Sequence, residues 1–288
     1  MKLVTLAVSG SILLLTFAVP SNGQMTQDQT QEMTAQMFAD GGHSIPMQTP
    51  SQVSTSGAVP VRELSPEETG DLFMARKQYF EAAQAFKNLS DQNPRNAVYL
   101  NKLGIALHQQ EALSMALKCY ERALKANPHY ADAQNNIGTI WYQRKRYGKA
   151  IRAYQRAIKM RDDMAVLYSN LGYAYFGDKK YEDSITAFRV ALAKDPQFFE
   201  HNSSRSGSLL QDRSVSDRGR FYFLLAKSYA ESGNIERSVI YLRKAKDEGY
   251  ASFVADLKKD KAFAAELQLP EIQDMIAPKQ ASSDIQQP

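Results

Sequence analysis

From Glu63 onward apolar residues recur at three- and four-residue steps in paired blocks, each pair split by a short polar break such as QRKRYG (143–148) or GDKKYE (177–182). That spacing gathers apolar side chains on one face of a helix, so each pair predicts a helix, a tight turn and a second helix. The pattern repeats every 34 residues, giving units at 63–96, 97–130, 131–164 and 165–198, and a fifth at 219–252 after an insertion at 199–218. The eighth position of the unit holds Gly70, Gly104, Gly138, Gly172 and Ala226, and the twentieth holds Ala82, Ala116, Ala150, Ser184 and Ser238. Small residues there let the two helices of a unit approach closely. The aromatic or apolar twenty-fourth residue (Phe86, Tyr120, Tyr154, Phe188, Leu242) fills the gap beside them. Pro94, Pro128 and Pro196 stop the second helix and set up the next start. A lone hairpin cannot bury its apolar face, so the units must stack.

The Leu-Gly or Ile-Gly pair at positions 7–8 (Leu103-Gly104, Ile137-Gly138, Leu171-Gly172), an aromatic at 11 in Trp141, Tyr175 and Tyr229, Ala at 20 and 27, and Pro at 32 together resemble the tetratricopeptide repeat family. The first unit departs most, with Thr69 in the leucine place and Pro66 in an aromatic one, as befits a terminal repeat. The resemblance implies an all-α fold, a right-handed α-solenoid of five helix-turn-helix repeats, with first helices lining a concave face that receives a protein or peptide. Its groove positions fall on Asn101, Lys102, Ile105 and His108 in the second unit, Asn135, Asn136, Thr139 and Tyr142 in the third, and Asn170 and Tyr173 in the fourth. Side-chain amides such as Asn136 and Asn170 both donate to and accept from an extended backbone. The terminal-carboxylate clamp of some relatives is not matched, because only Asn136 occupies its expected place. After the fifth unit, Phe253, Leu257, Phe263, Leu267, Ile272 and Met275 at helical steps predict capping helices over 253–278.

The flanks differ in character. Residues 24–62 are rich in Gln, Thr, Ser, Met and Pro without a sustained period and read as a disordered linker, as does the tail 279–288. The start combines Lys2, an apolar run from Leu3 to Ala18, then Pro20 and small residues to Gly23, the order of an export signal cleaved after Gly23. An uncleaved N-terminal anchor is the alternative. A cleaved chain is expected to be exported, periplasmic or secreted. The insertion reads either as a partner-specific loop or as disorder.

Chemistry and charge change the picture little. The 288 residues are 43% hydrophobic with net charge +4, enough for a packed core. The only cysteine, Cys119, excludes an internal disulfide and reads as a packed thiol. The four histidines have no partner at metal-ligand spacing, and no phosphate loop or nucleophile motif occurs, so neither an enzyme nor a cofactor is expected. Unit 131–164 carries eight Lys or Arg against three Asp, net +5. Lys145, Lys149, Arg152, Arg156 and Lys159 recur three or four apart and predict a basic stripe on its second helix. That stripe suits an anionic membrane surface or acidic partner, or is a solvated outer face. Nucleic acid is not an expected partner, since no base-stacking platform accompanies it.

Overall fold

The computed structural model describes Lys2–Leu3, Ala18–Val19, residues 63–201 and residues 215–277. The linker 24–62, the tail from 278 and all but four residues of the apolar start lie outside it. Lys2–Leu3 (β1) and Ala18–Val19 (β2) pair antiparallel. All other described elements are helical: α1 Pro66–Ala75, α2 Tyr79–Gln92, α3 Ala97–Gln109, α4 Leu113–Ala126, α5 Ala131–Gln143, α6 Tyr147–Met160, α7 Ala165–Gly177, α8 Tyr181–Lys194, α9 Phe198–His201, α10 Val215–Glu231, α11 Ile235–Asp247, α12 Phe253–Lys259 and α13 Pro270–Ile276. Two 3-10 turns, Lys261–Phe263 and Glu266–Gln268, join α12 to α13. The chain divides within α5 into two compact units, the second starting at Trp141.

In the first unit, Ser65 starts α1 through a capping box: its hydroxyl accepts from the Glu68 amide at 3.2 Å, and the Glu68 carboxylate accepts from the Ser65 amide at 2.8 Å. Asn96 caps α3 by accepting from the Val98 and Tyr99 amides. The small-and-aromatic pattern does what its spacing predicts. A methyl on Gly70 would lie 2.7 Å from the Phe86 ring, and one on Gly104 would lie 2.4 Å from the Tyr120 ring. Phe86 and Tyr120 are fully buried with Leu100, Leu103 and Leu107, each such side chain contributing about 1.5–3 kcal/mol of burial. Consecutive hairpins meet with helices antiparallel: the Gln110 side chain, just past the end of α3, donates to the Tyr79 carbonyl at the start of α2 at 2.8 Å.

Within the second unit the same rule holds from α6 to α7, where Gly177 at the end of α7 sits against the Tyr147 ring at the start of α6. Ser184 of α8 donates to the Gly172 carbonyl of α7 at 2.9 Å, tying positions 20 and 8 together. The rule fails at the last hairpin. Tyr181, at the start of α8, lies under Arg220 in the first part of α10, while Arg189, further along α8, pairs at 2.8 Å with Glu231 at the end of α10. Contacts advance together along both helices, so α8 and α10 run in the same direction and the fifth hairpin is turned round relative to the fourth.

Chain length explains the reversal. Links of four residues, 93–96, 127–130 and 161–164, join the earlier hairpins; at about 3.4 Å per residue they cannot span a helix of about 21 Å, so each next helix must start where the last one ended. Residues 195–214 are long enough to return to the other end. The sequence reading placed a loop at 199–218, yet Phe199 is fully buried, with its ring 5.4 Å from Phe188, and α10 has already begun at Val215. Phe198 and Phe199, on either side of the boundary between the fourth unit and the insertion, close the core rather than reach for solvent.

Beyond α11, Phe253, Leu257, Phe263, Ile272 and Met275 are buried in the same cluster as α10 and α11, as expected of a cap. Each hairpin turn places its fifteenth residue in the left-handed region: Lys77, Glu111, Lys145 and Lys179 at φ 56–61°, and Gly233 at 78°.

Candidate interaction surfaces

The first helices of the first unit meet through polar side chains. Lys102 of α3 reaches back to α1, donating to Glu67 at 2.8 Å and to Asp71 at 2.7 Å. Burial pulls the Lys102 ammonium toward neutrality, but its bonds to Asp71 and Glu67 outweigh this and raise its pKa. The Lys102 hydrogen bond holds the Glu67 carboxyl below the usual carboxylate range. One repeat further on, Asn136 donates to the buried Asn101 side chain at 3.0 Å.

The expected groove residues therefore separate. Asn101 and Lys102 are engaged in joining neighbouring repeats. Ile105, His108, Asn135, Asn136 and Thr139 are half-buried on the first helices, with Val98 exposed beside them. His108 lies edge-on to Tyr120 at 6.5 Å, and the Thr139 hydroxyl donates to the Asn135 carbonyl. In the second unit, Tyr142 is half-buried and edge-on to Tyr147 at 5.5 Å.

Two further groove assignments need correction. Tyr173 is 4% exposed, stacked on Phe221 at 5.4 Å and edge-on to Phe188 at 5.4 Å. Asn170 is 3% exposed. Both belong to the interior, Tyr173 because the turned α10 lays Phe221 on it.

Most of the basic stripe is present. Lys149, Arg152, Arg156 and Lys159 are exposed on α6. Lys145 is not on the helix; it is the left-handed residue of the preceding turn. The Lys149 ammonium lies 4.3 Å from the Trp141 ring centre and the Arg144 guanidinium 5.6 Å from it, a cation–π arrangement that steadies the near end of the stripe.

Cys119 is buried, and burial pushes its thiol up to about 11, against the pull of Arg122. Among the described residues no group of three His, Cys, Asp or Glu could hold a metal ion, and no helix is long and apolar enough to cross a membrane.

The sequence reading missed a cleft of about 510 Å³ between the start of α8, α10 and the cap, lined by Tyr181, Arg220, Lys227, Tyr250, Lys259 and Lys261 among others. Its residues come from three separate stretches, 181–185, 220–227 and 250–261, that meet because α10 is turned round. No sequence period marks them.

Stacked helical hairpins with polar-linked first helices define a helical repeat architecture. Residues 113–165 and 146–197 match one tetratricopeptide repeat model and residues 219–247 match a second, so these stretches carry tetratricopeptide repeats. No curated protein matches the sequence. Among solved structures, a crystal structure of MamA is similar at 22% identity and TM-score 0.45, covering 62% of this chain and 93% of that one. A second MamA structure is similar at 20% identity and TM-score 0.45, covering 68% and 93%. MamA from Desulfovibrio magneticus RS-1 is similar at 18% and TM-score 0.45, covering 64% and 92%. The repeats make this chain a scaffold for protein–protein interaction.

Proposed function

We propose that the chain is a non-catalytic adaptor of the cell envelope that holds an extended segment of a protein partner against its first helices. The observation that carries this reading is the way those helices are joined in the first unit. Lys102 to Glu67 and Asp71, and Asn136 to Asn101, use polar groups to fix neighbouring first helices side by side. Val98, Ile105, Asn135 and Thr139 are left as a mixed apolar and polar face suited to backbone and side-chain contacts. A photoreactive residue at Ile105 or Thr139 should crosslink one partner in cells that the same probe at exposed Lys118 or Glu121 of α4 does not. Equal crosslinking from α4 would refute the assignment. The envelope role is supported by the signal-like start. Its check is the N-terminus of the exported protein, expected at Gln24.

A second reading, assembly at an anionic membrane surface, is favoured by the exposure of Lys149, Arg152, Arg156 and Lys159 along one helix. Sedimentation with phosphatidylglycerol vesicles should then fall when Arg152 and Arg156 are changed to Glu and as salt rises. No pelleting at any salt removes this reading.

A further inference from the structure

The cleft beside the cap has an uneven distribution of charge partners. Lys227 is satisfied: it pairs with Asp260 at 2.9 Å and Glu182 at 3.5 Å. Asp260 also accepts from the Ala262 amide, and Asp256 accepts from the Tyr250 hydroxyl at 2.6 Å. The carboxylates lining the cleft are thus engaged by other groups. Among the described residues no carboxylate pairs with Arg220, Lys259 or Lys261.

Arg220 is the central case. Its guanidinium lies 5.0 Å from the Tyr181 ring centre and 5.6 Å from that of Tyr250. Two aromatic rings fix the plane of a half-buried cation while leaving its N–H donors without a carboxylate. A guanidinium held this way is preorganised for a carboxylate, to which it can make two parallel charge-assisted bonds, and little side-chain freedom remains to be lost on binding. Lys259 and Lys261, exposed at the mouth, extend the positive charge beyond one contact.

We propose that this cleft binds an acidic peptide segment of a protein partner, seating an aspartate or glutamate carboxylate on Arg220 with neighbouring acidic residues facing Lys259 and Lys261. The occupant follows from charge complementarity, since the cleft supplies unpaired cations and its own acids are engaged. The site is independent of the first-helix face of the first unit: crosslinking from Ile105 can fail while the cleft binds, and the reverse.

The test uses the full chain and a fluorescein-labelled oligoglutamate peptide, followed by anisotropy at low salt, with oligoglutamine of equal length as the neutral comparison. The acidic peptide should bind, oligoglutamine should not, and affinity should fall as salt rises. Arg220→Gln should weaken binding at least tenfold, because a lost hydrogen-bonded charge contact is worth that much. Arg220→Lys should recover part of it, keeping the charge without the fork. Arg243→Gln, which alters an exposed cation paired with Glu271 elsewhere, should leave affinity unchanged. Should Arg220→Gln lower the helical circular dichroism signal, the exposed pair Lys259→Gln and Lys261→Gln carries the test, with a loss of at least threefold expected. Equal binding of the two peptides, or unchanged oligoglutamate affinity in these cleft variants, overturns the proposal. So does binding to phosphatidylglycerol vesicles that depends on Arg220 in a chain that ignores oligoglutamate, which would make the cleft a lipid site.

Discussion

Replacing Gly172 by alanine tests the close approach that the first, second and fourth hairpins share. The added methyl would lie 2.4 Å, 2.5 Å and 3.0 Å from three atoms of the Phe188 ring, where ordinary contact begins near 3.4 Å, so the ring would have to retreat by about 1 Å. It has nowhere to go. Phe188 is fully buried and packed against Tyr173, Phe199 and Phe221, at centroid distances of 5.4, 5.4 and 5.8 Å. Overpacking of this kind costs about 1–3 kcal/mol, with the upper end expected for a ring hemmed on three sides. Alanine's better helix propensity returns about 1 kcal/mol, leaving a net loss of about 2 kcal/mol. Gly148→Ala is the matched control, because nothing lies within 4 Å of its added methyl, and a gain of about 0.5 kcal/mol is expected. We predict that the urea midpoint, followed by far-ultraviolet circular dichroism, falls for Gly172→Ala and rises for Gly148→Ala. Adding Phe188→Leu should restore part of the loss, a coupling of about 1 kcal/mol in a double-mutant cycle. A Gly172→Ala protein as stable as the parent, or strict additivity with Phe188→Leu, would refute the reasoning.

Three further predictions rest on other contacts. Phe199→Ala should cost about 3–5 kcal/mol by equilibrium unfolding, the price of emptying a core site, whereas a change under 1 kcal/mol would return Phe199 to the surface. Lys102→Met should lower stability at neutral pH by up to about 1 kcal/mol, a small value because its partners are partly exposed. Since the folded Glu67 pKa is lowered, its contribution is present above the unfolded carboxylate range and lost as pH falls through the folded value; since the Lys102 pKa is raised, its share is lost only as pH rises through the folded lysine value. Wild type and variant should therefore differ between those limits and converge in acid, and an unchanged difference in acid would contradict the pairing. Cys119, with its thiol pushed up to about 11, should resist Ellman's reagent until denaturant is added, and rapid stoichiometric labelling of the native chain would show the helix packing to be wrong.

What was legible in the sequence was what a single hairpin decides. Gly70 against Phe86, Gly104 against Tyr120 and Gly172 against Phe188 recur at a fixed separation because the two helices carrying them are joined by one tight turn. The direction of the fifth hairpin was not legible. It depends on whether the link can return along a helix, and neither periodicity nor residue type records that choice. The misplacing of Tyr173 has the same origin. Assigning a helix face by repeat position presumes that the next hairpin stacks in the usual sense, but α10 lays Phe221 over Tyr173 instead. Arg220, Tyr181 and Tyr250 went unnoticed for that reason too. The basic stripe was legible on α6 because four of its members share one helix face, and it failed at Lys145 because helical spacing was carried one turn too far.

The row of left-handed turn residues has a consequence for how freely the protein's electrostatics can vary. At one equivalent place the chain uses Lys77, Glu111, Lys145, Lys179 and Gly233, a set spanning positive, negative and neutral with the same backbone pose. The side chains at the four non-glycine turns all point to solvent, so the core does not register which charge stands there. These turns form a set of independent dials: the surface potential along one edge of each hairpin can be rewritten, by mutation or by design, while the packing that defines the repeat stays as it is.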